Sequence, residues 1–123
     1  MTDLFDRFRK LLSIFYFIGF TLHALDVLGL RLNFLELDFI WKSWIIFLLV
    51  FDLAASIGLF LKKWWGDVIF IIIALSQLIA YLKFYDQFGR QEFLIFFHWT
   101  CLGLYTIFKF FDCLNLLKIK DKT

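Results

Sequence analysis

The sequence predicts an all-α fold: a polytopic membrane protein built as a single four-helix transmembrane bundle. Three observations carry this prediction. Hydrophobic residues fill 63% of the 123 positions and mean hydropathy is +0.83, well above a soluble domain of this length. The charged residues gather between apolar runs instead of recurring along one face of each helix. Those runs stay apolar for 18 to 20 residues, without the alternation of an outer-membrane strand. Backbone polar groups in hydrocarbon need internal partners, so helices follow.

The first span is expected at 11–30, close to the ~20 residues that cross a ~30 Å core. Arg7, Arg9 and Lys10 precede it as in a secretory signal. The stretch is long, however, and has no small-x-small cleavage site before Asp26, so it is expected to stay attached. In 31–43, Leu35, Leu37 and Phe39 alternate with Glu36 and Asp38, which fits either an interfacial segment or an early start of the second helix. The second span is expected at 44–61.

The turn KKWWGD then offers Lys62 and Lys63 to headgroups, Trp64 and Trp65 to the interface, Gly66 as a helix stop and Asp67 as the next N-cap. The third and fourth spans are expected at 68–85 and 93–111, with Lys83 and Lys109 near run ends where lysine snorkels. The chain contains no proline, so no proline kink arises, although unwound segments around Gly19, Gly58 or Gly103 fit the sequence. Internal repeats and linkers are lacking, so residues 1–123 form one domain.

Basic residues set an orientation. The N-terminal tail, Lys62–Lys63 and the end from Lys109 through Lys118, Lys120 and Lys122 hold nine, against four (Arg31, Lys42, Lys83, Arg90) on the other side. This predicts both termini in the cytoplasm. A net charge of +2 without a basic-aromatic module excludes a nucleic-acid partner; the partner expected is the lipid bilayer. Cys101 and Cys113 stand roughly 18 Å apart along one helix, beyond disulfide reach, and are read as packing residues.

The stretch Ala54-Ala55-Ser56-Ile57-Gly58-Leu59-Phe60-Leu61, then Trp65-Gly66-Asp67-Val68 and later Phe88-Gly89, resembles the middle of small four-span bacterial membrane proteins distantly similar to the DoxX group. The likeness covers about a third of the chain. It implies a four-helix bundle in a bacterial inner membrane and supplies no catalytic residue.

Chemistry within such a bundle must come from polar residues inside the spans. Asp52 and Gln77 each fall nine residues from a span end, ~14 Å deep and near mid-membrane. His23 and His98 reach a common depth in the opposite half, and Asp26 lies near the interface, where solvation is expected. Helical spacing puts Tyr16, Gly19, His23 and Asp26 on one face and His98, Cys101 and Tyr105 on another. A carboxylate at bilayer centre costs about 3 kcal/mol on insertion scales, so Asp52 requires a proton or a partner, with Gln77 or a histidine as the expected contact. Ala54, Ala55, Ser56 and Gly58 are expected to let another helix approach closely. Ser56, Ser76 and Thr100 are expected to bond back to their own helices.

Three function classes fit. The first is a structural or accessory protein whose polar belt specifies packing or attachment to a larger membrane complex. The second is a small proton-linked transporter acting as a homo-oligomer, with Asp52 as coupling carboxylate. The third is a b-type haem or quinone-binding electron carrier with His23 and His98 as axial ligands. Otherwise neither metal nor cofactor is expected. Enzyme readings fail for want of a phosphate-binding loop, a clustered metal set or a Ser-His-Asp arrangement outside the spans.

Overall fold

The computed structural model describes the backbone of residues 3–89 and 91–122 and the side chains of 4–89 and 91–115. Arg90 and the side chains of Lys118, Lys120 and Lys122, which enter the charge count, lie outside the described residues. Helices α1 (Asp3–Val27), α2 (Phe39–Phe60), α3 (Trp64–Lys83) and α5 (Glu92–Lys122) run up, down, up and down, with a single-turn α4 (Tyr85–Phe88) before the last. Among the described residues there is no strand. All four long helices are long and apolar enough to cross a membrane, which fits a multi-pass membrane protein.

Burial agrees with a lipid environment. In the most apolar window of each long helix only 17% to 44% of residues are buried, so most of the hydrophobic surface faces outward. Ile14, Phe17, Ile18, Val50, Phe96 and Ile107 are all exposed, an arrangement water would penalise at roughly 25 cal/mol per Å². The core is a narrow seam of Phe8, Leu12, Leu48, Ala55, Leu59, Phe70, Ile73 and Cys101. The helices neighbour one another in the order α1, α2, α3, α5, and of these neighbouring pairs around the bundle α1 and α5 touch least.

The helix ends explain where the spans differ from the sequence expectation. α1 starts at Asp3 instead of residue 11, because Phe5, Phe8 and Leu12 continue its buried face outward. It stops at Val27, where Gly29 takes φ +76° and the Leu30 and Gly29 amides donate to the carbonyls of Leu25 and Asp26, a Schellman cap. The 31–43 segment divides between the two readings. Phe34–Glu36 form a single 3-10 turn, and α2 begins at Phe39 with the Asp38 carboxylate accepting from the Trp41 amide at 2.9 Å.

The turn between α2 and α3 corrects two assignments. Gly66 is not the helix stop; Lys62 is, at φ +59°, with the Lys63 amide donating to Gly58 O at 2.8 Å. Gly66 instead sits in the first turn of α3 against Gly58, so close that a Cβ on Gly66 would lie 2.3 Å from the Gly58 carbonyl carbon. Nor is Asp67 an N-cap: α3 begins at Trp64 after Lys63, and Asp67 is a buried residue of its first turn. Gly19, Gly58 and Gly103 all lie within continuous helix, so no unwound segment forms around them.

Candidate functional site

The polar residues form two separate groups, one at each end of the bundle. At the end holding the α2–α3 turn, Arg9 of α1 is 1% exposed. Its Nε donates to Asp67 Oδ1 at 3.0 Å, its Nη2 reaches the same oxygen at 3.0 Å, and Nη2 also donates to Lys63 O at 3.2 Å. Tyr105 of α5 donates its hydroxyl to Asp67 Oδ2 at 2.8 Å, and Phe5 presents its ring to the guanidinium at 5.3 Å. Three helices and a turn thus share one ionic cluster. Arg9, counted from the sequence among the basic residues of the N-terminal tail, is buried against a carboxylate.

Between α1 and the last turns of α2, Ser13 and Ser56 exchange hydrogen bonds. Ser13 Oγ donates to Ser56 O at 2.7 Å, and Ser56 Oγ donates to Ser13 O at 2.8 Å. The expectation that Ser56 bonds to its own helix is corrected: with α1 so close, the neighbouring carbonyl competes. Ser76 does bond back, to Ile73 O at 2.8 Å. Of the small residues, Gly58 abuts Gly66, Ser56 meets Ser13, Ala55 is fully buried and Ala54 is partly exposed.

The other half of the bundle is hollow. A cavity of about 500 Å³ lies among all four long helices, walled by Phe15, Leu22, Leu48, Phe93 and Phe97 among others, with Arg31 of the loop at its edge. Asp52, Gln77, His23 and His98, four of the five intramembrane polar residues singled out from the sequence, line it, together with Tyr16 and Tyr81, while the fifth, Asp26, does not. They fall into two pairs. His98 Nε2 lies 2.5 Å from Gln77 Oε1 and donates to it, which fixes the tautomer, because an amide oxygen only accepts. Asp52 Oδ2 lies 3.7 Å from His23 Nε2, while His23 Nδ1 lies 3.4 Å from Asp26 Oδ2. Gly19, one turn before His23, makes this approach possible: a Cβ there would come 2.7 Å from Asp52 Oδ2.

Asp26 is corrected from a solvated interfacial residue to a buried one. It is 4% exposed, because Arg31 folds back from the loop to place Nε 3.3 Å from Asp26 Oδ1. Sequence reasoning missed this contact and Arg9–Asp67, since hydropathy treats a charge at a run end as a boundary. The His23 and His98 Nε2 atoms are turned to Asp52 and Gln77, so ligation of a haem through those atoms would require both rings to leave these partners. Among the described residues no three His, Cys, Asp or Glu side chains converge closely enough to hold a metal ion.

Several buried polar atoms around the cavity lack a hydrogen-bond partner: Tyr16 Oη, Asp52 Oδ1 and His98 Nδ1. Buried polar atoms are almost always satisfied, and leaving one bare costs about 1 to 3 kcal/mol. A guest in the cavity would meet mostly apolar walls, with Asp52, Gln77, His23 and His98 as the polar residues among them.

Comparison with curated proteins and with solved structures returns no match. Residues 3–115 match DUF6163, a family of unknown function, and with nearly the whole described bundle inside that match the chain belongs to this family.

Proposed function

We propose that this chain is a multi-pass binding protein that holds a membrane-borne molecule, apolar over most of its body and hydrogen-bonding at its head, in the cavity among the four long helices. The carrying observation is a cavity within the usual 300 to 1,000 Å³ range of ligand sites whose largely apolar lining includes the side chains of Asp52, Gln77, His23 and His98. The walls are largely apolar and the helices that form them expose apolar faces, so a guest already dissolved in the bilayer is the class that fits. The bundle is assigned to a bacterial inner membrane, on the DoxX-like resemblance, with both termini cytoplasmic. Without Arg9 the basic residues still stand eight to four in that sense.

A structural or accessory role is the second reading. It is favoured by the Arg9–Asp67–Tyr105 cluster, which ties α1, α3 and α5 without lining the cavity. The two readings separate on extraction. Protein in lipid nanodiscs should yield, by mass spectrometry, one small lipophilic molecule near one per chain. Leu22→Trp, which fills the cavity rim with its indole, should lose it while keeping its unfolding temperature. Equal recovery from both proteins, or from neither, would leave the accessory role.

A further inference from the structure

We infer that Asp52, His23 and Asp26 form a proton relay joining the cavity to the surface beside Arg31. The inference deepens the binding reading, because it makes the guest a molecule whose head group takes up or releases a proton.

The geometry is a single file. The imidazole of His23 stands between two carboxylates, with Nε2 3.7 Å from Asp52 Oδ2 and Nδ1 3.4 Å from Asp26 Oδ2. Both gaps are ion-pair contacts that a displacement of about half an ångström closes to hydrogen bonds of about 3 Å. Asp52 and Asp26 are 3% and 4% exposed, the His23 side chain between them 21% and the Arg31 side chain beyond Asp26 45%. The series therefore leads from mid-bundle toward the loop end, where the half-exposed Arg31 pairs with Asp26 and also borders the cavity.

An imidazole serves this position because its two nitrogens exchange roles. A proton reaching Asp52 passes from its carboxyl oxygen to His23 Nε2, giving imidazolium. The Nδ1 proton then leaves for Asp26, restoring a neutral ring in the other tautomer, and Asp26 gives the proton up at the loop end beside Arg31. One O–H bond breaks and one N–H bond forms, then the reverse, with no change of oxidation state; a ring flip resets the tautomer. The other titratable groups lining the cavity near Asp52 are Tyr16 of α1, Tyr81 of α3 and His98 of α5. His98 cannot substitute: its Nε2 proton is held by the Gln77 amide oxygen, which passes no proton onward at ordinary pH.

The test uses unliganded protein in nanodiscs, so that its outcome is independent of whether a guest is found. The carboxyl infrared band of Asp52, assigned by its loss in Asp52→Asn, is followed after rapid mixing from water into D2O and after a pH jump. His23→Gln keeps hydrogen-bonding groups facing both carboxylates and retains the fold, but cannot carry a proton. It should slow the Asp52 response at least about tenfold, in line with the 10²–10⁴-fold worth of positioned acid-base groups, and Asp26→Asn should do the same. Unchanged rates in either folded variant would overturn the relay. So would an Asp52 band that does not respond between about pH 4 and pH 9, the range over which carboxylate and imidazole groups exchange protons.

Discussion

Arg9 and Asp67, 58 residues apart in sequence, meet as a buried ion pair at 3.0 Å, and the same carboxylate accepts the Tyr105 hydroxyl at 2.8 Å. Removing one partner leaves the other charge uncompensated in a low-dielectric interior. Arg9→Met or Asp67→Leu alone should therefore cost about 3 to 5 kcal/mol, and the double variant should recover most of that loss. Unfolding of all four proteins in detergent closes the cycle. Additive losses would mean that the two groups do not act as a pair.

The Gly58–Gly66 contact sets the spacing of α2 and α3. A Cβ on Gly58 would lie 2.5 Å from Gly66 Cα, and backbone cannot rotate away as a side chain can. Either alanine substitution should destabilise the bundle by roughly 1 to 3 kcal/mol through forced separation of the helices. Gly103 has nothing within 4 Å of its would-be Cβ, so Gly103→Ala should be neutral or stabilising by up to ~1 kcal/mol. Thermal melts of the three variants check this, and equal losses at all three sites would refute the close approach.

Asp52 separates shape from charge. Asp52→Asn preserves the outline and a hydrogen-bonding oxygen beside His23, so the protein should fold with little loss. Asp52→Leu strands the imidazole and should cost about 1 to 3 kcal/mol. Chemical denaturation in nanodiscs distinguishes the two. If leucine is as stable as asparagine, Asp52 has no polar partner within the bundle.

The proposed orientation has its own check. A reporter active only outside the cytoplasm should be silent when fused after Thr123 and active when inserted near Phe88. The opposite pattern would invert the bundle.

The four spans were legible in the sequence because hydropathy over about 20 residues reports transfer into lipid directly, whatever the helices touch. The placement of Asp52, Gln77, His23 and His98 within the spans was legible too, since a strongly polar side chain inside an apolar run stands out against its neighbours. Their pairing was not legible. Gln77 was as plausible a partner for Asp52 as His23, and the choice depends on Gly19, whose missing side chain admits the carboxylate to α1. Lys62 took the left-handed position expected of a glycine because Gly66 was committed to Gly58, a tertiary contact that local turn preference does not register. Arg9 was hidden for a related reason: a basic residue ahead of an apolar run reads as an interface marker until its acid, on another helix, is seen beside it.

The division of the bundle into a clamped end and a hollow end has a mechanical consequence. Close-packed protein resists compression, whereas an open volume between helices does not. With α1, α3 and α5 fastened through Arg9, Asp67 and Tyr105 at one end, lateral pressure from the leaflet around the other end acts on the helices that wall the cavity. Tighter lipid packing in that leaflet alone would narrow the space between Leu22 and Phe93, so the two leaflets would have unequal control over the molecule.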